Sequence, residues 1–90
     1  MDADALIDHE APTPVYLQLA AILRARIDRG DWAPGRRILS EAQLVQAYGL
    51  ARETTRKALR VLIDEGALVT VPGRGTFVAT DDDSSTERHS

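Results

Sequence analysis

The 90-residue chain has no cysteine, so it can form neither a disulfide framework nor a thiolate metal site. Aromatic residues make up 4% of it. The one tryptophan, Trp32, follows an apolar helical stripe and reads as an anchor beneath that helix rather than as a platform for stacked bases. Histidine is almost as scarce: His9 and His89 stand near opposite ends, too isolated for a metal pair or a catalytic dyad. No nucleophile, base and orienting group fall into a recognisable trio, so neither catalysis nor a cofactor is expected. No long hydrophobic run occurs, and the opening MDADALIDHE is acidic, which excludes a signal peptide and a membrane span there.

What is present suits one small domain: 43% hydrophobic and 28% charged residues, both ordinary for a globular protein. The net charge of −3 argues against a nucleic-acid partner only until its distribution is examined. Residues 1–11 hold Asp2, Asp4, Asp8 and Glu10 with no basic side chain, and residues 79–90 hold four acidic residues and Arg88. The intervening 12–78 has ten basic against six acidic residues, a net of +4. The ends read as a flexible acidic arm (1–11) and a disordered acidic tail (79–90), with a basic domain between them. Asp81, Asp82 and Asp83 in the tail read as solvated rather than as a cation site.

Thr13-Pro14 is a helix start signal, a hydroxyl cap followed by proline at the first helical position. Val15, Leu19, Ile22, Leu23 and Ile27 then recur at helical spacing, up to a stop at Gly30. Pro34-Gly35 marks a turn. Ser40 and Gln43 have capping-box spacing ahead of a short helix bearing Leu44, Val45 and Tyr48. Gly49 ends it, Leu50 reads as buried within the turn, and a third helix begins near Arg52. Ala58, Leu59, Leu62 and Ile63 form its apolar stripe, with Thr55 one turn earlier and Gly66 at its close. Leu68 to Val71 and Thr76 to Val78 flank Pro72-Gly73-Arg74-Gly75 as a hairpin. Two helices joined by a tight glycine turn, then a hairpin, give an α+β winged helix-turn-helix over 12–78.

On the third helix Glu53, Arg56, Lys57 and Arg60 share roughly a third of the circumference, away from the apolar stripe. Arg52 stands at the helix start, where a recognition helix meets base edges, and an arginine fork can donate twice to guanine. Thr54, Thr55 and the first-turn amides can meet phosphate. Arg36, Arg37 and Ser40 add to this surface from the preceding segment. Gly73, Arg74, Gly75 and Thr76 add to it from the hairpin, whose glycines permit close approach to a groove. The plainer alternative for the helix face is a solvated one, with Glu53 and Lys57 an i,i+4 pair.

The stretch Pro14 to Thr80, 67 residues, resembles the DNA-binding domain of GntR-family bacterial transcriptional regulators. The resemblance rests on Pro-x-Tyr-x-Gln, Gly-x-x-x-Pro-Gly, Ser-Glu-x-x-Leu, Arg-x-Thr-x-Arg-x-Ala-Leu, Glu-Gly and Gly-Arg-Gly-Thr-Phe-Val, in order and at the right spacing. It implies a cytoplasmic, nucleoid-associated regulator, most simply a repressor, that binds an inverted-repeat operator in pairs. By that analogy Arg52 and Arg56 read bases, Thr54 holds phosphate, and Gly73 with Arg74 enters the minor groove.

Four positions depart from the family pattern. Leu39 stands where proline is usual, Ala42 where an arginine is usual, Ala51 where Ser or Thr caps the recognition helix, and Glu53 where a small residue is common. The family also places a ligand-binding or dimerising domain after the wing. This chain is therefore expected to be a stand-alone regulator or an excised domain, with Met1 and the lack of a tag favouring the former. The expected partner is double-stranded DNA, bound by a monomer or weak dimer that pairs on DNA, without a membrane or an evident small-molecule ligand. The reading from another class is a winged-helix module that docks on an acidic protein.

Overall fold

The computed structural model describes residues 3–80. Its elements in order are α1 (Val15–Arg29), α2 (Glu41–Tyr48), α3 (Arg52–Asp64), β1 (Leu68–Val71) and β2 (Gly75–Val78). This is the expected sequence of three helices and a two-stranded wing.

Local chemistry accounts for most boundaries. At α2 the Ser40 hydroxyl accepts from the Gln43 amide (3.1 Å) and the Gln43 side chain accepts from the Ser40 amide (2.8 Å), so the capping box forms as its spacing implied. Gly49, at φ +65°, sends its amide back to the Val45 carbonyl and turns the chain out of α2 in a left-handed conformation that favours glycine. Leu50 follows, buried inside that turn. α3 then starts behind Ala51 with no side-chain cap, which leaves its first amides without a protein side-chain acceptor. The start of α1 differs from expectation. Pro14 is extended (ψ 142°) and occupies the cap position itself, and the Thr13 hydroxyl does not cap. Thr13 is held one residue outside the helix because its carbonyl accepts from the Gln18 side-chain amide (2.9 Å).

The three helices and the wing share one buried cluster. It includes Leu19 and Leu23 of α1, Leu44 of α2, Leu50, Ala58, Leu59 and Leu62 of α3, and Leu68 and Val78 of the wing. Trp32 packs against this cluster beneath α1, as expected, with the Arg26 guanidinium 4.3 Å over its ring. β1 and β2 pair antiparallel in the register Leu68–Val78 to Val71–Gly75. The opposite edge of β2 is also covered, which periodicity did not indicate. Residues 35–38 run along it, with bonds from Gly35 to the Val78 carbonyl, from Val78 to that of Arg36, and from Ile38 to that of Thr76, each 2.9 Å. β2 is therefore the middle of three extended segments, and Ile38 enters the core from the third.

Residues 3–11, expected as a flexible arm, lie against α1. Ile7 packs on the core, Asp4 pairs with Arg29, and the Asp8 backbone both donates to and accepts from the Gln18 side chain (2.8 Å each). The acidic tail expected over 79–90 falls, from residue 81 onward, outside the described residues.

Two polar side chains are buried among the described residues, and they differ in kind. Gln18 makes three hydrogen bonds that tie the N-terminal segment to α1. The Thr55 hydroxyl has no partner. A buried hydroxyl without a partner is destabilising, whereas a satisfied amide is not. Thr55→Val is therefore expected to raise stability by about 1–2 kcal/mol and Gln18→Leu to lower it by about 1–3 kcal/mol, both read from denaturant midpoints. Equal signs for the two variants would contradict this account.

At the α1 C-terminus, Arg29 and then Arg26 donate to the Asp31 carboxylate, with contacts of 2.8–2.9 Å. They hold that carboxyl well below the ordinary carboxylate range. Because its folded pKa is depressed, the stabilisation is complete above the unfolded value of about 4 and is lost as pH falls through the lower folded value. The melting-temperature gap between wild type and Asp31→Asn is expected to be widest at neutral pH and to narrow below about pH 4. A gap that widens on acidification would show the reverse linkage.

Candidate nucleic-acid interface

One face of α3 is packed away and the other is exposed. Thr55, Ala58, Leu59 and Leu62 are buried, while Arg52, Glu53, Arg56, Lys57 and Arg60 are exposed. The Arg52 and Arg56 side chains are 68% and 57% accessible. Thr54 is half-buried beside them. Thr55 is a correction: with no exposed surface it cannot offer its side chain to a phosphate, because it occupies the first position of the apolar stripe. Lys57 leans towards α1, its ammonium 5.8 Å from the Tyr16 ring centroid.

The hairpin stands next to this face. Gly73, Arg74 and Gly75 are exposed at its turn and Thr76 is half-buried. Ser40, Gln43, Arg37, Gly73, Arg74 and Thr76 border one open cleft of about 520 Å³ between the start of α2 and the wing. A smaller cleft of about 210 Å³ between α3 and the sheet has Glu41, Arg56, Leu59, Arg60, Thr70 and Thr76 among its walls. Thr76 lines both, so helix and wing form a continuous surface. Arg36 is exposed but lines neither cleft.

Ser40 is present at this surface, with its hydroxyl already engaged in capping α2. The two turn glycines play different parts. Among the described residues, a Cβ on Gly73 would meet nothing within 4 Å, which leaves room for close approach from outside. A Cβ on Gly75 would stand 2.9 Å from Cδ of Arg37, so the space a side chain would need is filled by Arg37.

Glu41 was not singled out from sequence. In the first turn of α2, its carboxylate faces the start of α3, 3.6 Å from Arg52 Nη1, with Arg56 Nε and Nη2 at 3.3 and 3.4 Å. The hydrogen bond to Glu41, reinforced by its charge, holds the Arg56 guanidinium pKa above its ordinary value. The signal was the glutamate of Ser-Glu-x-x-Leu, but its partners lie across the helix-turn-helix angle and not on its own helix.

The other basic side chains divide by location. On α1, Arg24 pairs with Glu65, Arg26 with Asp31, and Arg29 with Asp31 and Asp4. Among the described residues, Arg36, Arg37, Lys57, Arg60 and Arg74 have no carboxylate partner, and all of them belong to α3, the wing or the segment paired with it. Positive charge is neutralised on α1 and left available around α3 and the hairpin.

Glu41→Gln keeps shape and the Ser40–Gln43 cap while removing the charge that holds two arginines. Exposed pairs contribute little, so stability is expected to change by less than about 1 kcal/mol. The Arg56 guanidinium is expected to gain mobility, measured by relaxation of its Nε–Hε group. Unchanged Arg56 order would show that Glu41 does not position it.

Comparison with known proteins fits this geometry. The family described as "Bacterial regulatory proteins, gntR family" matches residues 15–78. The chain is similar to the histidine utilization repressor of Klebsiella aerogenes, 48% identical over 69 residues, covering 77% of this chain and 29% of that protein. It is also similar to the transcriptional repressor NagR of Bacillus subtilis, 37% identical over 73 residues, covering 81% and 30%. Among solved structures it resembles the DNA-binding domain of AraR in complex with operator ORE1, with a TM-score of 0.74, 38% identity, and 80% and 88% of the two chains covered. The chain spans less than a third of the length of these curated relatives, which are named as repressors rather than enzymes.

Proposed function

The chain belongs to the gntR family of bacterial regulatory proteins, and we propose that it reads operator DNA for a transcriptional repressor. The observation that carries this is the solvent-facing Arg52 and Arg56 pair in the first two turns of α3, held by Glu41 beside a wing arginine, Arg74, that has no carboxylate partner among the described residues. The operator complex of AraR's DNA-binding domain and the repressor relatives support it.

In this reading α3 lies in the major groove. Arg52 and Arg56 each direct a planar fork at guanine O6 and N7, and Glu53 accepts from cytosine N4. The uncapped amides at the start of α3, with the Thr54 hydroxyl, donate to a phosphate, which the helix dipole favours. Gly73 and Arg74 bring the wing to the minor groove, and Lys57 and Arg60 follow the backbone. A single winged module buries only about 600–1,000 Å² on DNA, which favours two copies on an inverted repeat. The work is done in the cytoplasm, on the nucleoid.

Selection of bound sites from random duplexes identifies the operator. On the selected site Arg56→Ala is expected to weaken binding by about 1–3 kcal/mol and to relax preference at one base position. Arg74→Ala is expected to weaken all sequences more evenly, because a wing contact chiefly positions the protein. Failure of the wild type to enrich any sequence would refute the proposal, and unchanged specificity in Arg56→Ala would refute the role given to that residue.

A further inference from the structure

Arg37 is fixed more firmly than a surface arginine in a loop would be. Its backbone forms an antiparallel bridge with Phe77, and the amides of Ile38 and Val78 on either side of that bridge are bonded across to Thr76 and Arg36. Its aliphatic stem lies across Gly75, where a Cβ would stand 2.9 Å from Cδ and 3.4 Å from Cγ. The side chain is exposed and has no carboxylate partner among the described residues. It borders the 520 Å³ cleft that Arg74 also borders, with Ser40 and Gln43 along its wall. Among the described residues, no carboxylate lines that cleft.

We propose that Arg37 is the second cation of the wing, forming with Arg74 a two-arginine clamp on a backbone phosphate of bound duplex DNA. The inference rests on the DNA-binding reading above and extends it to a residue outside the helix-turn-helix and the hairpin. Two guanidiniums without a carboxylate partner on one cleft repel each other until an anion lies between them, and a phosphodiester supplies the charge and two non-bridging oxygens that accept from an arginine fork. Gly75 is then required for two reasons internal to the protein: its φ of +127° favours glycine, and any side chain there displaces the stem that carries the charge. Arg37 carries no base preference in this scheme, because a phosphate contact positions without specifying.

The test compares Arg37→Met, which keeps an apolar stem over Gly75 and removes the charge, with wild type on two short duplexes, one selected and one of arbitrary sequence. Affinity is measured by fluorescence anisotropy across a salt series. Arg37→Met is expected to weaken both duplexes several-fold and to reduce the slope of log affinity against log salt by about 1, with an unchanged melting temperature. Gly75→Ala, with Arg37 intact, is expected to shift the slope in the same direction. Coupling is read from Arg37→Met with Arg74→Met: the double variant is expected to lose less than the product of the single losses, because one phosphate serves both. An unchanged slope in Arg37→Met, with wild type binding steeply, would overturn the clamp alone. A wild type without salt-dependent duplex binding would overturn the DNA-binding reading and the clamp with it.

Discussion

Ala58 and Leu62 of α3 are fully buried in one cluster with Leu19 and Leu23 of α1, and the arrangement of the rest follows from that packing. A helix presents arginines in a fixed direction only if its opposite side is held. With Thr55, Ala58, Leu59 and Leu62 committed inward at helical spacing, Arg52, Arg56 and Arg60 are forced outward. Burying these side chains completely contributes about 1.5–3 kcal/mol each for the larger apolar ones. The same cluster takes in Leu68 and Val78, so the wing is set against the helix by the core itself.

The distribution of charge completes this arrangement. Carboxylates are placed against the cations of α1, while, among the described residues, those of α3 and the wing either share Glu41 or have none. A chain of net −3 thereby offers a locally basic surface, and holding two arginine forks on one carboxylate reduces the freedom they lose on binding. Exposed pairs add little to stability, so this pattern acts on recognition and hardly on folding.

What was legible in the sequence was local. The Ser40–Gln43 cap, the Gly49 turn, the α3 stripe and the hairpin are encoded within a few residues of one another, where 3.6- and 2-residue periods and cap chemistry apply. What was not legible spans the chain. Pairing of residues 35–38 with β2 joins positions about forty apart and leaves no periodic trace in a four-residue segment rich in arginine. Glu41 meets its arginines across the angle between two helices, and Gln18 holds Asp8 from a different segment. Thr55 shows the converse, since its polarity suggested a surface role while its register fixed it in the core.

The hydrogen bonds between residues 35–38 and β2 also define an order of assembly. They close a loop of about forty residues containing α2, α3 and β1, and an isolated two-stranded hairpin is marginal in water. α2 and α3 dock through near neighbours in sequence, whereas the packing of α1 on α3 and the third member of the sheet both wait for a loop of about forty residues to close. Because Leu68 and Val78 belong to the same buried cluster as the helices, protection of the wing against amide exchange reports completion of the whole domain.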